Sequence, residues 1–190
     1  NLFRRYAEME TRLDILFDKG IFNCVSSGII YFALASRSGL DVRAVRTSDH
    51  AFCALSVEGE TVDVETTTRH GFDPGEKKEF RNSFGETGFI YTPPANYSDR
   101  RDIGKIEMLS LILQNRISEM QHRGNYLETV PLAVDRHALL GTPESFREMM
   151  TEFKNHAVQL SNRNDYSKAL DFLSAASSAY EHDPVISDAA

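Results

Sequence analysis

Cys24, His50, Asp63 and Glu65 are the side chains of this sequence whose types and order could do chemistry together. Cys24 heads the apolar run Cys24-Val25-Ser26-Ser27-Gly28-Ile29-Ile30-Tyr31-Phe32-Ala33-Leu34-Ala35. His50 leads a second, His50-Ala51-Phe52-Cys53-Ala54-Leu55, and the carboxylates end a third, Val62-Asp63-Val64-Glu65. In that order they are a sulfur nucleophile, its base and the acid that orients the base. If Cys24 opens a helix, its sulfur lies over unpaired first-turn amides at the positive end of the helix dipole, which favours the thiolate. The amides of Cys24 and Val25 are then the expected cradle for an oxyanion. Each residue has a blander alternative. Cys24 could be a small buried hydrophobe, and His50 a capping or surface histidine. Cys53 alternates with His50 along its strand and is expected to face the other way, as a structural cysteine. Asp63 and Glu65 are two apart and share a strand face, so either could hold the imidazole. A buried carboxylate needs a partner, and the one not holding the imidazole is expected to bond backbone in the Thr66-Thr67-Thr68 turn.

The elements that must position these groups follow from periodicity and turn chemistry. Leu2, Phe3, Tyr6, Met9, Leu13, Leu16 and Phe17 recur at helical spacing, which predicts a helix over 2–18 stopped by Gly20. A second helix is expected from Cys24 to Arg37, with Gly39 just past its end. Three strands are expected at 41–47, 50–57 and 60–66, the last two joined by a tight turn at Glu58-Gly59. Residues 67–100 read as a long loop with one short helix at 76–83. Its aromatic residues, Phe72, Phe80, Phe84, Phe89, Tyr91 and Tyr97, suggest a clasp over the core, with one wall of a cleft as a second role.

Beyond Asp102 the pattern is helical. One helix is marked by Met108, Leu109, Ile112, Leu113 and Ile117, and others by 125–140, Phe153–Leu160 and 165–180. Thr142-Pro143-Glu144-Ser145 is a helix start, with Thr142 as N-cap and Pro143 at the first helical position. Pro131 falls early in its helix, with a kink as the alternative. Arg123-Gly124-Asn125-Tyr126 is echoed by Arg163-Asn164-Asp165-Tyr166, the sign of stacked helical hairpins.

With 190 residues, 41% apolar and 26% charged, the chain can bury a core. A net charge of −7 argues against a general nucleic-acid binder. No apolar run is long enough to span a bilayer, so no transmembrane segment is expected. The sequence opens at Asn1 in what reads as mid-helix. An excised segment is therefore expected, any targeting sequence would have been removed, and the compartment stays open. Two cysteines make no disulfide framework, and free thiols are expected. There is no phosphate loop, no Gly-x-Ser-x-Gly elbow and no close His or Cys pair spaced for zinc, so neither cofactor nor metal is expected. His122, His137, His156 and His182 are expected at the surface.

Residues 20–70 resemble the transglutaminase-like superfamily, a papain-related fold. The likeness rests on Cys24 at a helix start, Gly39-Leu40-Asp41-Val42-Arg43-Ala44-Val45 leading into a strand, His50 at the next strand's head, and Val64-Glu65-Thr66-Thr67 at a strand end. Glu65 occupies the position where the family carries Asp, and the chain has no Trp, whereas the family has one near the His and near the acid. The resemblance implies an α+β domain over 1–100, with a helix bearing the cysteine packed on an antiparallel sheet. It also implies an amide-bond enzyme (peptidase, amidase or transamidase) working through an acyl-enzyme on a protein or peptide. Residues 101–190 resemble tetratricopeptide repeats at Phe153–Leu160, Asn164-Asp165-Tyr166, Ala169-Leu170 and Ala176. That likeness implies helical hairpins that bind a protein partner, the alternative being hairpins that only cap the first domain. An inactive scaffold for protein–protein interaction is the competing reading of the whole. Substrate and oligomeric state are open.

Overall fold

The computed structural model describes residues 2–48, 50–67 and 98–181. The expected loop and short helix over most of 67–100, and the position of His182, lie outside the described residues. The chain divides into two compact units, Asn1–Ile112 and Leu113–Ala190.

The first unit is α+β. It begins with β1 (Arg5–Tyr6), α1 (Leu13–Lys19) and β2 (Ile21–Phe22). The helix expected over 2–18 is thus confined to its second half. Phe3 and Tyr6, which mimic helical spacing, instead pack on Phe22 at ring-centroid distances of 4.9 and 5.9 Å. β1 pairs in parallel with β2, Tyr6 opposite Phe22. Gly20 does stop α1. It is left-handed (φ 69°) and donates its N–H to the Leu16 carbonyl.

α2 (Cys24–Arg37) follows, with Asn23 as its N-cap. Its far end closes as expected around left-handed Gly39: the Gly39 N–H reaches the Ser36 carbonyl and the Leu40 N–H reaches Ala35. This is the paired bonding of a Schellman turn. β3 (Val42–Arg46), β4 (Ala51–Val57) and β5 (Glu60–Val64) form an antiparallel meander. Glu58 and Gly59 both have positive φ, 52° and 87°. That is the two-residue turn whose twist suits a hairpin. A fourth strand, β6 (Arg101–Ile103), was not anticipated; it pairs with β3 to give the open order β5-β4-β3-β6.

α2 lies against β3 and β4. Val25 and Ile29 pack with Ala44, Ala51, Cys53, Leu55, Val64 and Ile103, and with Met108 and Leu111 of α3 (Lys105–His122). Each such large side chain removed from water contributes about 1.5–3 kcal/mol. The opposite face of the sheet carries Val45, Phe52 and Ala54. His50 precedes β4 in phase with Phe52, and their rings stack at 5.8 Å.

The second unit is helical: the remainder of α3, then α4 (Tyr126–Leu140), α5 (Pro143–Asn162) and α6 (Tyr166–Tyr180). Thr142 caps α5 with a reciprocal Ser145 bond and Pro143 enters at its start, as the sequence predicts. The echoed turns are alike in geometry. Gly124 and Asn164 are both left-handed, and Asn125 and Asp165 donate to the Met120 and Leu160 carbonyls. α5 packs on α4 and α6 around Ala133, Met149, Phe153 and Ala176. Two histidines expected at the surface are buried here. His137 bonds Ser145 Oγ through Nδ1 at 2.9 Å, and His156 lies edge-on to Phe172 at 4.8 Å. His122 is exposed.

Candidate active site

Cys24 is the first residue of α2, and its position is fixed from both sides. Asn23 is fully buried, accepts the Ser26 N–H on Oδ1 at 3.0 Å, and donates its own N–H to Ser26 Oγ at 3.0 Å. Its Nδ2 donates to the Glu8 carbonyl at 2.8 Å, which ties the segment after β1 to the start of α2. The first-turn amides of Cys24 and Val25 have no acceptor within the helix, since the i−4 carbonyls they need do not exist there. Ser27 Oγ sits 2.7 Å from Thr66 Oγ1, linking the same turn to the end of β5.

His50 is set by the β3–β4 turn. Its N–H donates to Thr47 Oγ1 at 2.9 Å, and its carbonyl accepts the Thr47 N–H at 2.9 Å. The ring is buried, with Nε2 at 2.5 Å from Glu65 Oε2. Cys24 is near enough to the same ring to raise its pKa.

The two carboxylates part company. Glu65, 1% exposed, gives Oε2 to His50, while Oε1 accepts the Thr67 N–H at 2.9 Å and the Thr67 hydroxyl at 2.7 Å. Asp63 instead makes a two-pronged pair with Arg100, both N–O distances 2.8 Å. The Arg100 guanidinium lies 5.4 Å over the Phe52 ring. Asp63 is therefore not the group on the imidazole. The backbone contact expected of the other carboxylate is made, through Thr67, by Glu65 itself.

Electrostatics follows the geometry. Burial alone would push the His50 pKa down. The Glu65 carboxylate and the Cys24 contact outweigh burial and hold it well above the ordinary 6.5. Burial would raise Glu65, but the His50 charge and the His50 and Thr67 bonds leave it below its ordinary 4.5. Each partner thus favours the charged form of the other across the Nε2–Oε2 contact. Cys53 is the contrast. It is fully buried, its Sγ donates to the Gly28 carbonyl at 3.6 Å, and burial pushes its thiol up to about 12.

The sequence reading also missed how the segment before α2 is held. Tyr6, counted there as helical apolar surface, lies on β1 beside the start of α2. Its phenol is held far above its ordinary value by burial, then by Cys24, Glu8 and Glu65. No local pattern marks it; only the β1–β2 pairing brings it there. Among the described residues, no group of three or more His, Cys, Asp or Glu is arranged to hold a metal ion. Comparison with protein-family models, with curated proteins and with solved structures finds no match to this chain.

Proposed function

We propose that the chain is a thiol-dependent acyl-transfer enzyme of transglutaminase-like type, acting on amide bonds through a covalent thioester. The observation that supports this most is the buried His50–Glu65 pair, its ring influenced by Cys24, with that cysteine first in a capped helix. In this reading the Cys24 thiolate attacks an amide carbonyl carbon, and the C=O electron pair moves onto oxygen. First-turn amides of α2 stabilise that oxyanion. His50 delivers its proton to the leaving amine as the C–N bond breaks. The thioester is then opened by water, giving an acid, or by an amine, giving a new amide. Glu65 keeps the imidazole oriented and charged. Asp63 has no part in the chemistry.

The test is acylation by p-nitrophenyl acetate. A burst of p-nitrophenolate is expected, with one acetyl group found on Cys24 by peptide mass spectrometry and absent from Cys24→Ser. A second reading, a non-catalytic scaffold whose thiol and ion pair only hold the fold, draws on the burial of Cys24, which is 9% exposed. That reading gains if no acetyl group reaches Cys24 while the protein stays folded.

A further inference from the structure

We propose that a cavity in the helical unit binds a primary ammonium group on an aliphatic stem, with the Glu152 carboxylate as its anchor. The cavity, about 200 Å³, lies among α3, α4 and α5. That is below the roughly 300–1,000 Å³ of sites for drug-sized ligands, so it suits a group the size of one side chain. The sequence explains why the helices leave this space. The α3 residues that line it, Gln114, Ile117, Ser118 and Gln121, recur at helical spacing and are mostly polar. Ser145, Glu148, Met149 and Glu152 do the same on α5. Polar side chains bridge the helices here in place of apolar packing. Gln121 Nε2 donates to Glu152 Oε1 at 2.7 Å. Arg136 of α4 donates to Gln114 Oε1 at 3.2 Å and pairs with Glu148.

Two observations point to the ligand. The first is Glu152, which lines the cavity and is 5% exposed. Its Oε1 accepts from Gln121 and, at 3.3 Å, from Asn155, whereas its buried Oε2 has no hydrogen-bond partner. A buried carboxylate oxygen without a donor is costly and uncommon in folded proteins, so it marks a place for a donor that is not part of the chain. The second is charge. Among the lining residues, one guanidinium, Arg136, stands against two carboxylates, Glu148 and Glu152, and one further positive charge balances them. An ammonium supplies both the donor and the charge. A guanidinium fits less well, because its planar fork is matched by two free carboxylate oxygens and Oε1 is already engaged. Ile117, Ala133 and Met149 are the apolar part of the wall and receive the stem. Thr151, also on the wall, is exposed while Glu152 is buried, so the cavity runs inward from the surface to the carboxylate. A lysine side chain and a free alkylamine present the same chemistry to it. Binding here does not depend on acyl transfer at Cys24.

Methyl NMR of the full chain, following Ile117 and Met149, tests this with three probes: n-butylammonium, Nα-acetyl-lysine N-methylamide and the neutral n-butanol. Both cations should shift these methyls saturably, with n-butanol binding about tenfold more weakly or worse. Glu152→Gln keeps the size of the side chain and its acceptor for Gln121 and Asn155, so its melting temperature should not fall below wild type. Its affinity for n-butylammonium should drop about tenfold or more. The cation that binds more tightly identifies the source, a lysine side chain or a free amine, and either upholds the proposal. No saturable shift with either cation overturns it, as does equal affinity for n-butanol. Both of those results come from the wild type alone and hold even where the variant fails to fold. An affinity unchanged in a folded Glu152→Gln also overturns it and leaves the cavity to water.

Discussion

At the scale of the residue, the two carboxylates make the sharpest contrast. They share a strand face, yet Glu65 holds His50 and Asp63 holds Arg100. Glu65→Gln, which keeps shape and removes charge, should slow Cys24 acylation about 10²-fold at neutral pH. Asp63→Asn should leave that rate close to wild type and cost about 1–3 kcal/mol in a denaturant melt, as expected for a charge-assisted pair with one half-exposed partner. The pair His50–Glu65 also fixes a pH window. His50 is raised, so its stabilising share is full below about 6.5 and fades as pH climbs through its elevated folded value. Glu65 is lowered, so its share is full above about 4.5 and fades as pH falls through its depressed value. The stability difference between wild type and Glu65→Gln, followed by denaturation across pH, should therefore be largest between these limits and shrink on both sides.

At the scale of the element, the site depends on how α2 begins. Asn23→Ala removes a buried cap and should cost about 1–2 kcal/mol, with Cys24 reactivity falling as the first turn frays. Gly20→Ala should be at least as costly. The residue is left-handed, and an added Cβ would lie 2.6 Å from Arg4 Cγ and 2.8 Å from the Leu2 carbonyl. These two features were legible in the sequence for physical reasons: caps, glycine stops and the Glu58-Gly59 turn are local chemistry, read within a few residues. β1, β2 and β6 were not, because strands of two or three residues show no alternation and exist only through pairing. Phe3 and Tyr6 misled for the same reason, being spaced like a helix but held by Phe22. Strand alternation left Asp63 and Glu65 equivalent; only the Val64-Glu65-Thr66-Thr67 resemblance favoured Glu65, and the partner that takes Asp63, Arg100, lies far along the chain. The burial of His137 and His156 is likewise set by neighbours across helices, Ser145 and Phe172.

At the scale of the whole molecule, an α+β unit that carries the site and a helical unit each have their own core. Among the described residues, no helix is long and apolar enough to cross a membrane. Met149 is fully buried in the helical core. Met149→Ala should lower stability by about 2–5 kcal/mol, seen in a thermal melt, yet leave the Cys24-to-Cys53 alkylation ratio of the folded protein unchanged. Whether Cys24 is a nucleophile activated by His50 is decided by the pH dependence of its alkylation by iodoacetamide, read by peptide mass spectrometry with Cys53 as internal control. Cys24 should label faster than Cys53 across the pH range of the folded protein and lose that lead in His50→Ala, with Cys53, fully buried, inert until the protein unfolds. Slow labelling of both cysteines in the folded protein, indifferent to His50, would contradict that activation.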